Sequence, residues 1–108
     1  MRILYLPLKA QWYDMIERGE KPEEYREHTP YWVARLMQCD SAVCSEDKCE
    51  DCIFRKFKHY DAVCFSYGYT KRRMLFECKG IIFGQGRPEW GAPNHKTFII
   101  KLGKRLNK

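Results

Sequence analysis

The alternation of apolar and polar positions divides the chain into short elements. From Arg2 to Leu8 an extended segment places Ile3, Tyr5 and Pro7 on one face and Leu4, Leu6 and Leu8 on the other. A strand that is apolar on both faces is expected inside a sheet or at its most covered position. Ala10 to Arg18 carries Trp12, Met15 and Ile16 at the i, i+3, i+4 spacing of an amphipathic helix. Gly19 then suits the left-handed position that ends helices, and Pro22 prevents continuation. Glu23 to Glu27 is a short polar strand. Thr29-Pro30 offers a hydroxyl cap and a proline at the first helical position, and Trp32, Val33 and Leu36 give the second helix its stripe, which fades by Gln38.

Residues 39–54 lack periodicity and have the character of an insertion. Beyond them Asp61 to Tyr67 alternates as a strand, Gly68 to Arg72 is a turn, and Arg73 to Phe83 is a long strand in which Gly80 marks a bend or bulge. Gly84 to Lys96 is a Gly- and Pro-rich loop carrying Trp90, and Thr97 to Leu102 is the last strand. The order β-α-β-α, insertion, then three strands predicts a single α+β domain over 1–108. Its expected form is a small closed or nearly closed β-barrel of five or six strands flanked by two helices.

Length agrees with one domain, since 108 residues bury roughly 65 % of the unfolded surface. No apolar run approaches the roughly 20 residues of a membrane span, and the N-terminal segment lacks the features of a signal peptide. A cytoplasmic location with no membrane partner is the expectation.

Net charge is +6, unevenly distributed. Residues 1–38 balance, 39–54 carry −4, and 55–108 carry +10. The basic half also holds Phe57, Tyr60, Phe65, Tyr67, Tyr69, Phe76, Phe83, Trp90 and Phe98. Cations interleaved with rings suit nucleic acid, because cations meet phosphates and rings stack on bases. For each ring taken singly, a place in the core is the better account; for the half as a whole, an anionic partner is.

Candidate chemistry concentrates at Gly19-Glu20-Lys21-Pro22-Glu23-Glu24-Tyr25-Arg26. On a strand Glu24 and Arg26 share one face, while Glu23, Tyr25 and Glu27 share the other. Lys21 leaves the glycine turn just before the strand, so two cations and one anion can converge on one mouth. An arginine fork recognises phosphate or carboxylate, and a neighbouring Glu can hold it in place. A surface strand with ordinary ion pairs is the plain alternative.

Gly19-x-Lys21-x-x-Glu24-x-Arg26 resembles the G-x-K-x-x-E-x-R signature of ASCH domains, within the PUA-like superfamily. The setting is similar too: Leu6-Pro7-Leu8-Lys9 on a strand, then a helix with Trp12 and Ile16 ending at Gly19. Further on, Tyr60-Asp61-Ala62-Val63, Glu77-Cys78-Lys79-Gly80-Ile81, Pro88-Glu89-Trp90-Gly91 and Phe98-Ile99-Ile100-Lys101-Leu102 resemble a compact bacterial and phage-type branch. The resemblance covers nearly the whole chain except 39–54. It implies a PUA-like barrel with a cleft lined by the motif, and a role in RNA binding or in processing modified nucleosides. One branch hydrolyses N4-acetylcytidine with a catalytic group that includes the motif Lys and a Thr. Lys21 matches that Lys, whereas Glu24 stands where that branch has Thr, and Glu89 is the sole acid of the 84–96 loop.

Cys39, Cys44, Cys49 and Cys52 lie within the acidic insertion as C-x4-C-x4-C-x2-C. Cytoplasmic thiols seldom form disulfides. Four closely spaced thiols are a candidate structural zinc site, with unligated thiols the alternative. Cys64 and Cys78 fall on strands as small apolar residues. His28, His59 and His95 are isolated, and solvated or capping roles are expected of each.

Three functions follow. The first is an RNA- or nucleotide-binding module in which Lys21, Glu24, Arg26, Tyr25 and Trp90 contact the ligand. The second is a small amidohydrolase-like enzyme acting on a modified nucleoside, with Glu24 as general base and Lys21 as its electrostatic partner. The third is a protein-interaction adaptor built on a zinc-bound insertion. Binding ranks first, because it requires fewer accurately placed groups than catalysis.

Overall fold

A computed structural model describes residues 1–37 and 57–107. Five strands and two helices form an α+β fold: β1 (Ile3–Leu8), α1 (Ala10–Glu17), β2 (Glu23–Arg26), α2 (Pro30–Leu36), β3 (Ala62–Tyr67), β4 (Arg73–Gly84) and β5 (Thr97–Arg105). The strands make one sheet in the order β1-β3-β4-β5-β2, curled into a half-barrel.

β1 pairs parallel with β3, and every other pairing is antiparallel. The expectation of an interior first strand is corrected here: β1 is an edge strand. Leu4, Leu6 and Leu8 are buried, whereas Tyr5 and Pro7 on the other face are exposed. An edge tolerates Pro7, which has no N–H to give a ladder. The other edge is β2, whose Arg26 lies opposite Phe98 of β5.

The helices form where their caps and stripes place them. α1 ends at Gly19, which takes φ +82°, and its Tyr13 and Ile16 face the core while Trp12 and Met15 are half-buried. Thr29 caps α2 by accepting from the Trp32 amide at 3.3 Å, with Pro30 in the first turn. The ladder between β4 and β5 shifts register around Cys78 and Gly80, where φ of +141° suits glycine, so the expected bulge is present.

The main core joins Leu4, Leu6 and Leu8 of β1 with Ile16, Leu36, Val63, Phe65, Met74, Phe76, Phe98, Ile100 and Leu102. Each fully buried Leu or Phe of this set contributes about 1.5–3 kcal/mol relative to exposure. β5 is buried on both faces. Phe98 and Ile100 enter the main core, while Ile99 packs with Tyr25 and Ala92 under the loop before β5. That loop contains a short 3-10 turn, Pro88–Trp90. It covers the face of β2 and β5 that carries Tyr25 and Ile99.

Candidate functional site

The motif strand is short because Pro22 precedes it and α2 begins soon after it. Its four residues face opposite ways, as alternation requires. Tyr25 Oη donates to Glu23 Oε2 at 2.6 Å, and Lys101 Nζ of β5 donates to Glu23 Oε1 at 2.7 Å. On the other side Glu24 holds two cations. Lys21 Nζ donates to its Oε1 at 2.6 Å, and Arg26 Nη1 donates to its Oε2 at 2.5 Å.

Lys21, Glu24 and Arg26 are thus brought together, at different depths. Lys21 is 1 % exposed and lies behind Glu24. Its ammonium sits 4.8 Å from the centre of the Tyr25 ring and 5.2 Å from that of Trp12. Burial holds its pKa below the ordinary lysine value, against the opposing pull of the Glu24 charge. Two ring faces and one carboxylate are what make a buried ammonium tolerable here.

Arg26 is the outer member, with 17 % of its side chain exposed. Nη1 also donates to its neighbour's carbonyl, Tyr25 O, at 2.8 Å, and Nη2 donates to Pro7 O at 3.0 Å. The guanidinium lies over the Trp32 ring at 5.3 Å. Of its five N–H groups, these bonds use three. Nε–H and one Nη2 proton have no partner among the described residues. The triad of two cations and one anion carries +1 behind this free edge.

A cleft of about 280 Å³ opens in front of Glu24 and Arg26, lined also by Pro7, Leu8, Lys9, Trp12, Tyr25, Trp90 and Gly91. Lys21 does not line it. Tyr25, expected to face away from Glu24 and Arg26, reaches the same cleft. Burial pushes its phenol well above the ordinary range, the Glu23 hydrogen bond adds to this, and the Arg87 amide donating to Oη at 3.1 Å opposes it.

Two glycines let the 84–96 loop lie close against these rings. A Cβ on Gly86 would overlap the Tyr25 ring. On Gly91, where φ is +96°, it would stand 2.8 Å from Trp12 Cζ2. The loop therefore presents Trp90 at the cleft, with Arg87 5.0 Å above its ring. Trp12, Lys9 and Pro7 are contributions that sequence reasoning missed. Trp12 falls on the apolar stripe of α1 and reads as core; its place between Lys21 and Gly91 comes from tertiary packing. Lys9 was the readable signal, being a cation directly between strand and helix whose side chain makes no capping hydrogen bond.

The remaining candidates lie elsewhere. His28 is corrected from a solvated or capping role: its ring stacks on Phe98 at 5.3 Å, and its buried Nε2 has no hydrogen-bond partner. His59 and His95 are exposed and pair with Asp61 and Glu27. Cys64 is buried and Cys78 half-buried on their strands. Cys39, Cys44, Cys49 and Cys52 fall outside the described residues, so the zinc expectation has no geometry to meet. Among the described residues no group of three or more His, Cys, Asp or Glu could hold a metal, and no helix is long and apolar enough to cross a membrane. No protein-family model matches the chain, and no match is found among curated proteins or solved structures.

Proposed function

We propose that this chain is an RNA- or nucleotide-binding module of the ASCH type, taking a single base or nucleotide in the cleft beside Arg26. One observation carries the reading: among the described residues two Arg26 N–H donors are unused, at the edge of a cleft whose other walls include Trp12, Tyr25 and Trp90. Fixed N–H donors next to aromatic rings match the needs of a base, which offers acceptor edges and a π-face. The volume lies near the lower end of the ~300–1,000 Å³ of small-molecule sites, a size that suits one base better than a larger ligand. The net +1 of the triad and the exposed Lys9 favour an adjoining phosphate.

The geometry weighs toward binding rather than hydrolysis. Glu24 is buried and each of its oxygens is already held by a cation, an arrangement suited to fixing Arg26 rather than to meeting a water. The signature Gly19-x-Lys21-x-x-Glu24-x-Arg26 supports the family reading independently of the cleft.

The test is titration of the protein with a panel of single-stranded oligoribonucleotides and nucleoside monophosphates, following tryptophan fluorescence at several salt concentrations. Saturable quenching that weakens with salt is expected, reduced at least tenfold by Arg26→Ala and by Trp90→Ala. Absence of saturable binding across the panel overturns the reading. Acylated nucleosides in the same panel distinguish the hydrolase, which would release the acyl group.

A further inference from the structure

The turn between β3 and β4 carries cations and a ring that the fold does not use. Tyr69 is 98 % exposed at its tip. Lys71 and Arg73 are exposed, and neither has an ion-pair or hydrogen-bond partner for its side chain among the described residues. The turn itself is firmly tied. Thr70 Oγ1 donates to Tyr67 O at 2.6 Å, the Tyr67 amide donates to Arg72 O at 2.9 Å, and Arg72 Nη2 donates to Glu17 at 2.9 Å. The Arg72 guanidinium also lies over Tyr67 and Tyr13, at 4.9 and 5.1 Å. Arg72 is a structural clamp, and it leaves Tyr69 and Lys71 displayed on a fixed loop, with Arg73 beside them at the start of β4.

This loop is fastened to the rim of the cleft. The Gly68 amide, one residue before Tyr69, donates to Leu8 O at 2.7 Å. Leu8 and the next residue, Lys9, line the cleft. A polymer leaving the cleft over Lys9 therefore meets the turn directly. Unpaired cations alternating with an exposed ring fit a flexible anionic chain that also carries flat groups, which describes single-stranded nucleic acid.

We infer that the β3–β4 turn is a second contact surface for single-stranded RNA whose recognised base occupies the cleft. The RNA backbone passes over Lys9, its phosphates meet Lys71 and Arg73, and a flanking base stacks on Tyr69. This inference rests on the cleft reading above and extends it from a nucleotide to a strand.

The test uses fluorescein-labelled octanucleotides of U, A and C with the full chain, measured by anisotropy over a salt series. Tyr69→Ala and the pair Lys71→Ala/Arg73→Ala are compared with Arg26→Ala and Trp90→Ala. The turn residues are exposed, so their variants keep the fold, which circular dichroism confirms. Tyr69→Ala is expected to weaken binding about tenfold, with Tyr69→Phe restoring it. The double variant is expected to flatten the slope of log affinity against log salt by about 1–2. Unchanged affinity in the turn variants, alongside weakened cleft variants, overturns this inference and leaves the cleft reading standing. Weakened turn variants with unaffected cleft variants overturn both, because the path then does not start in the cleft. No octanucleotide binding by the unaltered chain also overturns both. Equal affinity for polyglutamate of matched charge overturns the assignment to nucleic acid, since that polymer has no bases to stack.

Discussion

Arg26 spans the mouth of the half-barrel, donating from one edge strand to the Pro7 carbonyl on the other at 3.0 Å. The residue that lines the cleft is therefore also a tie between the two ends of the sheet. Arg26→Lys keeps the charge but not the fork that reaches Glu24, Tyr25 O and Pro7 O together. We expect it to cost about 2–3 kcal/mol in urea unfolding, by loss of charged hydrogen bonds and a mostly buried pair. A cost near zero would mean that the tie does not hold the edges.

Lys21 and Glu24 form a buried pair, so single and double replacements should differ in a characteristic way. Lys21→Met strands part of the Glu24 charge, and Glu24→Gln strands both cations. Each is expected to destabilise by about 3 kcal/mol or more. The double variant Lys21→Met/Glu24→Gln is expected to cost less than the sum of the two. A double-mutant cycle from denaturant melts measures that coupling, and simple additivity would contradict a direct interaction.

Glu23 predicts the acid limb of stability. Burial acts to raise its pKa, but hydrogen bonds from Lys101 and Tyr25 and the Lys101 charge outweigh it, so the net value lies below the ordinary 4.5. A carboxyl with a depressed folded pKa contributes stability fully above its unfolded value and loses it as pH falls through the folded one. Glu23→Gln should therefore narrow the difference between melting temperatures at pH 7 and pH 3. An unchanged difference would exclude Glu23 from the acid response.

Gly91→Ala should disturb the cleft from a distance of one side chain. It adds a Cβ 2.8 Å from Trp12 Cζ2 at a φ of +96°, which L residues rarely adopt. We expect a loss of about 1–3 kcal/mol and a shift in tryptophan emission as Trp12 moves. An unchanged spectrum would show that the loop gives way in place of the ring.

Much of this was legible from the chain. Gly19 and Pro22 announce where α1 stops and β2 starts, Thr29-Pro30 announces α2, and Gly80 announces the bulge, because each acts through local backbone geometry. Glu24 and Arg26 share a face by strand period alone. What local pattern does not encode is which strands become neighbours. The two apolar faces of β1 suggested an interior strand, yet Tyr5 and Pro7 look outward at an edge. The aromatic residues of the basic half illustrate the same boundary. Phe65, Phe76 and Phe98 went to the core, Trp90 to the cleft and Tyr69 to solvent. Nothing in their spacing separates these fates, since the separation depends on what packs against each one.

The strand order has a consequence for timing. β2 is made early, yet its strand partner is β5, with Arg26 opposite Phe98 and Glu23 opposite Lys101. Contacts between segments so far apart in the chain form late, because a long loop must close before they are rewarded. A nascent chain halted before Thr97 would hold the whole Gly19–Arg26 segment and still lack the strand that seats it. Assembly of the cleft is therefore coupled to completion of β5, and a chain that stops short of it leaves Glu24 and Arg26 without their wall.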